Sequence, residues 1–338
     1  MVSTSRAGGG PAPTPVVRLR LEVEGIPREL WLKLESYSPY GSVKGRTALA
    51  LWRDVEARVD PAAGLVESTS GNLGLALAAL AAAHRVPFTA VVDPRTSAAL
   101  LYDIRALGAR IVTVDTQDGA GGYLLGRLDR VRSLLRERPG LVWTDQYHNP
   151  ASPNAHTTGT APELHRQTRG QRMSVLVAVS TGGTLAGFRR YVEESGPDWE
   201  LVGVDVTGSA ALGGTAGPRL LSGIGASRRS AFLPDGHRPT VHIDAQEAVT
   251  VCLWLRDTAG VGVGGSAGAL VAAALRRFRA DPACTSAACL CPDGADRYLG
   301  TVYSPDWRSA HGLTGTAPLP GVRLLAADGP VPRTEGTG

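Results

Sequence analysis

A chain of 338 residues with 43% hydrophobic composition is long enough for two domains or one large one. Its net charge of +4 is mild and its arginines are scattered among acids, which argues against a nucleic-acid partner. No apolar run reaches the ~20 residues that a membrane helix needs, which argues against a membrane span.

Residues 1–12 carry no apolar signal core and read as a disordered lead-in. "LWLKLES" alternates apolar and polar residues and predicts a strand, with "RTALALWRDVEARV" a helix after it. Strand–helix alternation continues through "GLVEST", "NLGLALAALAAAHR", "FTAVVD", "SAALLYDIRALGA", "RIVTVD", the helix 123–138 and "LVWTDQ". "YHNPASPNAHTTGT" reads as a polar loop and a candidate domain break near 148–159, followed by a helix "APELHRQT". "SVLVAVS" is a central strand by its valines, then come the helix "LAGFRRYVEE", the strand "ELVGVDV", the helix "GALVAAALRRFRA" and the last core strand "AACLCPD". From 312 to 338 the chain is rich in Gly, Pro and Thr and reads as a flexible tail. Such alternation predicts an α/β architecture with a mostly parallel sheet, whose sites lie at the carboxyl ends of strands.

The four cysteines lack CxxC spacing and a nearby histidine, so no metal site is expected. Cys289 and Cys291 read as small apolar residues of a buried strand. Without an export signal the expected location is the cytoplasm, with reduced thiols.

Four strand-to-helix loops hold the chemistry-bearing residues. In "VSTGGTLAG", Ser180, Thr181, Gly182, Gly183 and Thr184 precede a helix. Glycines let backbone N–H groups approach an anion, and the helix N-terminus and hydroxyls add to that attraction, so the loop reads as a phosphate cradle or as a mere tight turn. "ESTSGNLG" places Thr69, Ser70, Gly71 and Asn72 in the same way, fit for a carboxylate or simply for helix capping. "SPYGSVKGR" carries Lys44 and "GVGGSAGAL" carries Ser266. Among thirty-five basic residues only Lys33 and Lys44 are lysines. An amine condenses with an aldehyde and a guanidinium does not, so a retained lysine beside a phosphate cradle points to pyridoxal phosphate. Lys33 alternates within a strand and reads as structural or solvent-facing.

Taken in order from Thr14 to Tyr303, "KLESYSPYGSVKGR", "TSGNLG", "QYHNPASPNAH", "STGGTLAG", "SGIGA", "GGSAGA" and "PDGADRYL" resemble the fold-type II pyridoxal-phosphate enzymes of the cysteine synthase and cystathionine β-synthase family. The resemblance implies a tryptophan synthase β-like fold of two three-layer αβα domains with a cleft between them. Residues 13–44 and 149–311 would form the larger, cofactor-binding domain and 45–148 a smaller mobile one. It implies pyridoxal 5'-phosphate as cofactor, bound to Lys44 as an internal aldimine, with Asn72 on its 3′ oxygen, Ser180 to Thr184 on its phosphate and Ser266 on its ring nitrogen. Thr69, Ser70, Asn72 and Gln146 would clamp the substrate carboxylate, and Gly223 would face the substrate. It also implies a homodimer acting on small amino-acid substrates.

A neutral serine on the ring nitrogen favours β-replacement through an α-aminoacrylate. The chain departs from the family at Gly45, where an acid that helps start the helix is usual, at Tyr147, at Ser180, and at Arg228 and Arg229. Tyr147, Ser180 and Arg228 add hydroxyls and charge near the leaving group, which favours O-phospho-L-serine over O-acetyl-L-serine; the arginines read alternatively as solvated surface charges. The pattern is similar to the branch that makes N-(2-amino-2-carboxyethyl)-L-glutamate, toward L-2,3-diaminopropionate for siderophores or peptide antibiotics. There L-glutamate supplies the attacking amine and Arg127 is a candidate contact, or one of several arginines on a wet face. A sulfide-using cysteine synthase is the main rival, a cystathionine β-synthase a lesser one, and a cofactor-bearing pseudoenzyme the non-enzyme alternative.

Overall fold

The computed structural model describes residues 12–117, 122–237, 239–314 and 319–330. The lead-in lies outside them except for residue 12. Strand β1 (Val16–Val23) alternates strictly, with Val17, Leu19, Leu21 and Val23 buried. It turns into β2 (Ile26–Leu34) through Glu24 and Gly25, both at positive φ, the backbone that a two-residue hairpin demands.

Then follow α1 (Lys44–Val55), β3 (Leu65–Ser68), α2 (Asn72–Ala83), β4 (Phe88–Val92), α3 (Ala98–Ala106), β5 (Arg110–Thr113), α4 (Leu124–Glu137) and β6 (Val142–Trp143). The second half continues with α5 (Ala151–Ala155), α6 (Ala161–Gln167), β7 (Met173–Ala178), α7 (Gly183–Ser195), β8 (Trp199–Val206) and β9 (Thr240–Ile243). It ends with α8 (Ala245–Ala259), α9 (Gly265–Ala280), β10 (Ser286–Cys291), α10 (Pro305–Ala310) and β11 (Val322–Asp328).

Two sheets result. Four parallel strands run in the order β5-β4-β3-β6, and seven strands in the order β11-β1-β2-β10-β7-β8-β9. The larger sheet is parallel from β2 to β9 and antiparallel at its β11-β1-β2 edge. Each sheet is covered on both faces. Leu65, Ala90 and Val92 pack with α1, α2 and α3, while their chain neighbours Val66 and Val91 pack with α4. Leu176, Val202, Val204 and Cys289 pack with α8 and α9, while Val175, Val177, Leu201 and Leu290 pack on the side of α6 and α7. Period-two strands buried on both sides produce this layering. All four cysteines are buried and unpaired, and Cys289 and Cys291 share the α8–α9 face as apolar residues.

Two expectations are corrected and one pair of alternatives is decided. Within the tail that reads as flexible, β11 pairs antiparallel with β1, closing an edge that β1 would otherwise leave open. The tail's residues 315–318 and 331–338 lie outside the described residues. The stretch expected to be a polar loop is helical from Ala151, running through α5 and a π-helical turn at His156–Thr160 into α6. Ser152, His156, Thr157 and Thr160 turn inward: Thr157 Oγ1 donates to the Gly187 carbonyl and His156 Nε2 lies 3.3 Å from Thr47 Oγ1. Of the two readings of Lys33, structural or solvent-facing, the structural one holds. The side chain is fully buried, donating to Glu163 Oε1 at 2.5 Å and Thr14 Oγ1 at 2.7 Å, while Arg46 binds Glu163 and Glu35.

Candidate active site

Lys44 is the first residue of α1 and lies on a cleft whose walls include Ser180, Thr181, Gly182, Thr184 and Gly223. Protein packed around its amine holds the Lys44 pKa below the usual lysine range, and the charge of Asp293 partly offsets this. A lowered pKa leaves more free amine, the nucleophilic form. Glycine at 45 is a packing requirement, not a weakened helix start. A Cβ there would stand 1.9 Å from the Pro39 carbonyl oxygen.

The loop after β7 enters α7 through Gly182, which caps the helix at φ +88°. A Cβ at Gly182 would meet Ser230 Oγ at 1.9 Å, and one at Gly183 would meet Ser152 Oγ at 2.4 Å, so glycines let this loop pack close. Ser180 Oγ donates to the Gly225 carbonyl, and Thr184 Oγ1 lies 3.2 Å from His156 Nε2. The N-terminus of α7 therefore opens on the same cleft as Lys44. Ser266 sits in the first turn of α9, fully buried, its Oγ without a hydrogen-bond partner among the described residues. A Cβ on Gly223 would lie 3.9 Å from that oxygen, so Gly223 stands over it at positive φ.

The loop after β3 is self-braced. Thr69 Oγ1 accepts from Gly74 N at 3.0 Å and Asn72 opens α2, while Ser70 is exposed. Gln146 is buried, its Nε2 donating to the Ser68 carbonyl at 2.7 Å. Glu67 lies beneath both segments, accepting from Thr144 Oγ1 at 2.5 Å and Gln146 N at 3.1 Å.

Tyr147 stands at the rim between two arginines. Burial raises its phenol pKa, and the charges of Arg127 and Arg228 oppose that rise. Arg127 is not on a wet face. It is buried in α4, its Nε 3.3 Å from Asp93 Oδ2, with Nη1 unpartnered among the described residues. Arg228 is half-buried, whereas Arg229 pairs with exposed Asp235. Sequence reasoning did not single out Asp293, Tyr298, His156 or Glu67. The available signal for Asp293 was its place at the carboxyl end of β10, where strand-end loops build sites.

A half-buried lysine and a helix-start anion loop on one cleft, with an orphaned serine hydroxyl beneath its Gly223 wall, define a pyridoxal-phosphate enzyme of fold type II. A family model described as pyridoxal-phosphate dependent enzyme matches residues 8–289, and the chain belongs to that family. Its cofactor is pyridoxal 5'-phosphate, and the residues present fit that group. The N-(2-amino-2-carboxyethyl)-L-glutamate synthase of Ralstonia nicotianae is 37% identical over 297 residues, covering 87% of this chain and 88% of that one. Its counterpart in Cupriavidus metallidurans is 37% identical over 326 residues, covering 94% and 96%. The crystal structure of the O-acetylserine dependent cystathionine β-synthase from Helicobacter pylori aligns with TM-score 0.78 at 29% identity, covering 86% of this chain and 96% of that one.

Proposed function

We propose that the chain replaces the β-substituent of an activated L-serine, O-phospho-L-serine being favoured, with the amine of L-glutamate. The product is N-(2-amino-2-carboxyethyl)-L-glutamate, a precursor of L-2,3-diaminopropionate for a siderophore or peptide antibiotic. The observation that carries this reading is the 37% identity to two synthases of that name across nearly the whole chain.

When bound, the cofactor withdraws electrons from the substrate Cα, so that a proton can leave Cα and a group can leave Cβ. The protein's residues do the rest. Lys44 would hold the cofactor and then carry the Cα proton on its amine. The N–H groups and hydroxyls from Ser180 to Thr184 would bind the cofactor phosphate. Ser266, a neutral hydroxyl, would contact the ring nitrogen without holding it protonated as a carboxylate would, which favours elimination over long-lived charge at Cα. Asn72 would donate to the 3′ oxygen. Thr69, Ser70, Asn72 and Gln146 would fix the substrate carboxylate, with Gly223 facing the substrate. Tyr147, Ser180, Arg127 and Arg228 would attract an anionic leaving group and the acidic second substrate. The smaller sheet would close over the larger and keep water out.

A homodimer in the cytoplasm completes the proposal. Among the described residues no helix is long and apolar enough to cross a membrane. The test is a product assay: incubate with phosphoserine, offer glutamate or sulfide separately, and identify the product by mass. Product with sulfide and none with glutamate would make the chain a cysteine synthase instead.

A further inference from the structure

The amide of Asn72 is held from both sides. Its Oδ1 accepts from Arg297 Nη1 at 2.9 Å, and its Nδ2 donates to Asp293 Oδ2 at 2.7 Å. A guanidinium only donates and a carboxylate only accepts, so this pair fixes which way the amide points. A flipped amide would set donor against donor and acceptor against acceptor.

Both partners are anchored in turn. Tyr298 donates its hydroxyl to Asp293 Oδ2 at 2.8 Å, and Arg297 Nη2 donates to the Tyr40 carbonyl at 2.9 Å. Asp293 forms an isolated bridge with Ser42, two residues before Lys44, and its carbonyl accepts from Gly264 N, two residues before Ser266. Its side chain is buried, and Oδ1 has no hydrogen-bond partner among the described residues. A Cβ on Gly264 would stand 2.1 Å from Oδ1, so that glycine gives the carboxylate its place. Asn72 opens α2 against the four-stranded sheet, whereas Asp293 and Arg297 follow β10 of the seven-stranded sheet. The clamp therefore joins the two halves behind the cleft.

We propose that Asp293 and Arg297 are positioning residues that orient the Asn72 amide, leaving its second Nδ2 hydrogen free for the 3′ oxygen of the cofactor. The inference rests on the reading of Asn72 as a cofactor contact. A fixed donor at that oxygen favours its deprotonated form, so the clamp sets the protonation and hence the colour of the bound cofactor. At the amide Asp293 acts through Asn72, but its charge also reaches Lys44, so the pair that isolates the clamp is Asn72 and Arg297: removing either should shift the cofactor in the same sense, and removing both should add nothing beyond Asn72→Ala.

The test uses the cofactor-loaded enzyme and the variants Asn72→Ala, Asp293→Asn, Arg297→Gln and the double variant Asn72→Ala with Arg297→Gln. Two quantities are read: the pH titration of the cofactor's visible band and the cofactor dissociation constant. Each single variant is expected to shift the titration in the same direction and weaken cofactor retention about 10-fold, the double being no worse than Asn72→Ala. A shifted band in Asn72→Ala beside a wild-type band and affinity in Asp293→Asn or Arg297→Gln overturns the clamp alone. Additive losses in the double variant do the same. An unchanged band in Asn72→Ala overturns the cofactor contact itself, and the clamp with it. If Asp293→Asn does not fold, Tyr298→Phe, which removes only the second donor to Asp293, must shift the band in the same sense; no shift overturns the proposal.

Discussion

The guanidinium of Arg228 lies against the ring of Tyr147, its central carbon 5.3 Å from the ring centroid. The two residues come from opposite halves of the cleft. Tyr147 follows β6 of the four-stranded sheet, and Arg228 sits between β8 and β9 of the seven-stranded one. Arg228 Nη2 also lies 3.4 Å from His148 Nε2. A contact of this kind at a half-exposed site contributes about 0.5–1 kcal/mol, enough to preset the guanidinium at the rim.

If Arg228 reads an anionic leaving group, Arg228→Ala should discriminate between esters. A charge-assisted bond contributes about 1.5–3 kcal/mol, so kcat/KM for O-phospho-L-serine should fall by roughly 10- to 150-fold. The value for O-acetyl-L-serine should change far less. Arg228→Lys should recover only part of the loss, because an ammonium lacks the planar fork. Parallel kinetics on the two esters decide the matter, and equal losses would remove Arg228 from leaving-group recognition.

Lys44→Arg keeps the positive charge and removes the nucleophile. Loss of the proton carrier alone should lower turnover by about 10²–10⁴-fold, and loss of the covalent link lowers it further. The glycine-lined loop before α7 should still retain the cofactor reversibly. After borohydride treatment the wild-type peptide containing Lys44 should gain the cofactor's mass and the variant peptide should not. A labelled Lys33 peptide would contradict the site.

Restoring the family's acid at position 45 should harm this chain. The Cβ of Gly45→Asp would have to displace the Pro39 carbonyl, a backbone atom 1.9 Å away. Overpacking of this kind costs about 1–3 kcal/mol. Thermal melting should therefore show Gly45→Asp below wild type, and Gly45→Ala should show most of the same loss, because the clash begins at Cβ. A stabilised Asp variant would show that the helix-start charge outweighs packing.

The loops around the cleft were legible because glycines and hydroxyls before a helix have a local cause. Lys44, Asn72, the 180–184 segment and Ser266 stand at the strand-to-helix and helix-start positions where their motifs put them. Pairings set by the fold were not legible. Asn72 meets Asp293 across 221 residues of chain, and Lys33 meets Glu163 across 130. Alternation made "LWLKLES" a strand, yet it could not show that the lysine points inward, because Glu163, the carboxylate to which it donates, arrives from α6. The polar run 151–160 gave the wrong element for a related reason: its hydroxyls satisfy partners inside the fold instead of water. Strand β1 went unread in the sequence although its pattern is fully local. Its strict alternation marks a strand without any tertiary information.

Glu67 gives the chain a stability profile with a definite sign. Its carboxyl is fully buried under the Thr69 and Gln146 segments, and burial pushes its pKa up to about 7 despite hydrogen bonds from Thr144, Trp143 and two backbone amides. The ordinary value is 4.5. Between those values the folded chain holds a proton that the unfolded chain has released, so stability falls as pH rises through this window and levels off above it. The contribution is on the order of 3 kcal/mol across the window. Glu67→Gln stays neutral at every pH and lacks this slope. It loses an acceptor for Gln146 N at all pH values, so it should start below wild type in acid. Denaturant unfolding at a series of pH values should show the gap narrowing as pH rises toward neutrality and staying constant beyond it. A gap that stays constant from acid to neutral pH would place the Glu67 proton elsewhere, and a gap that widens would mean that the ionised carboxylate is the form the fold prefers.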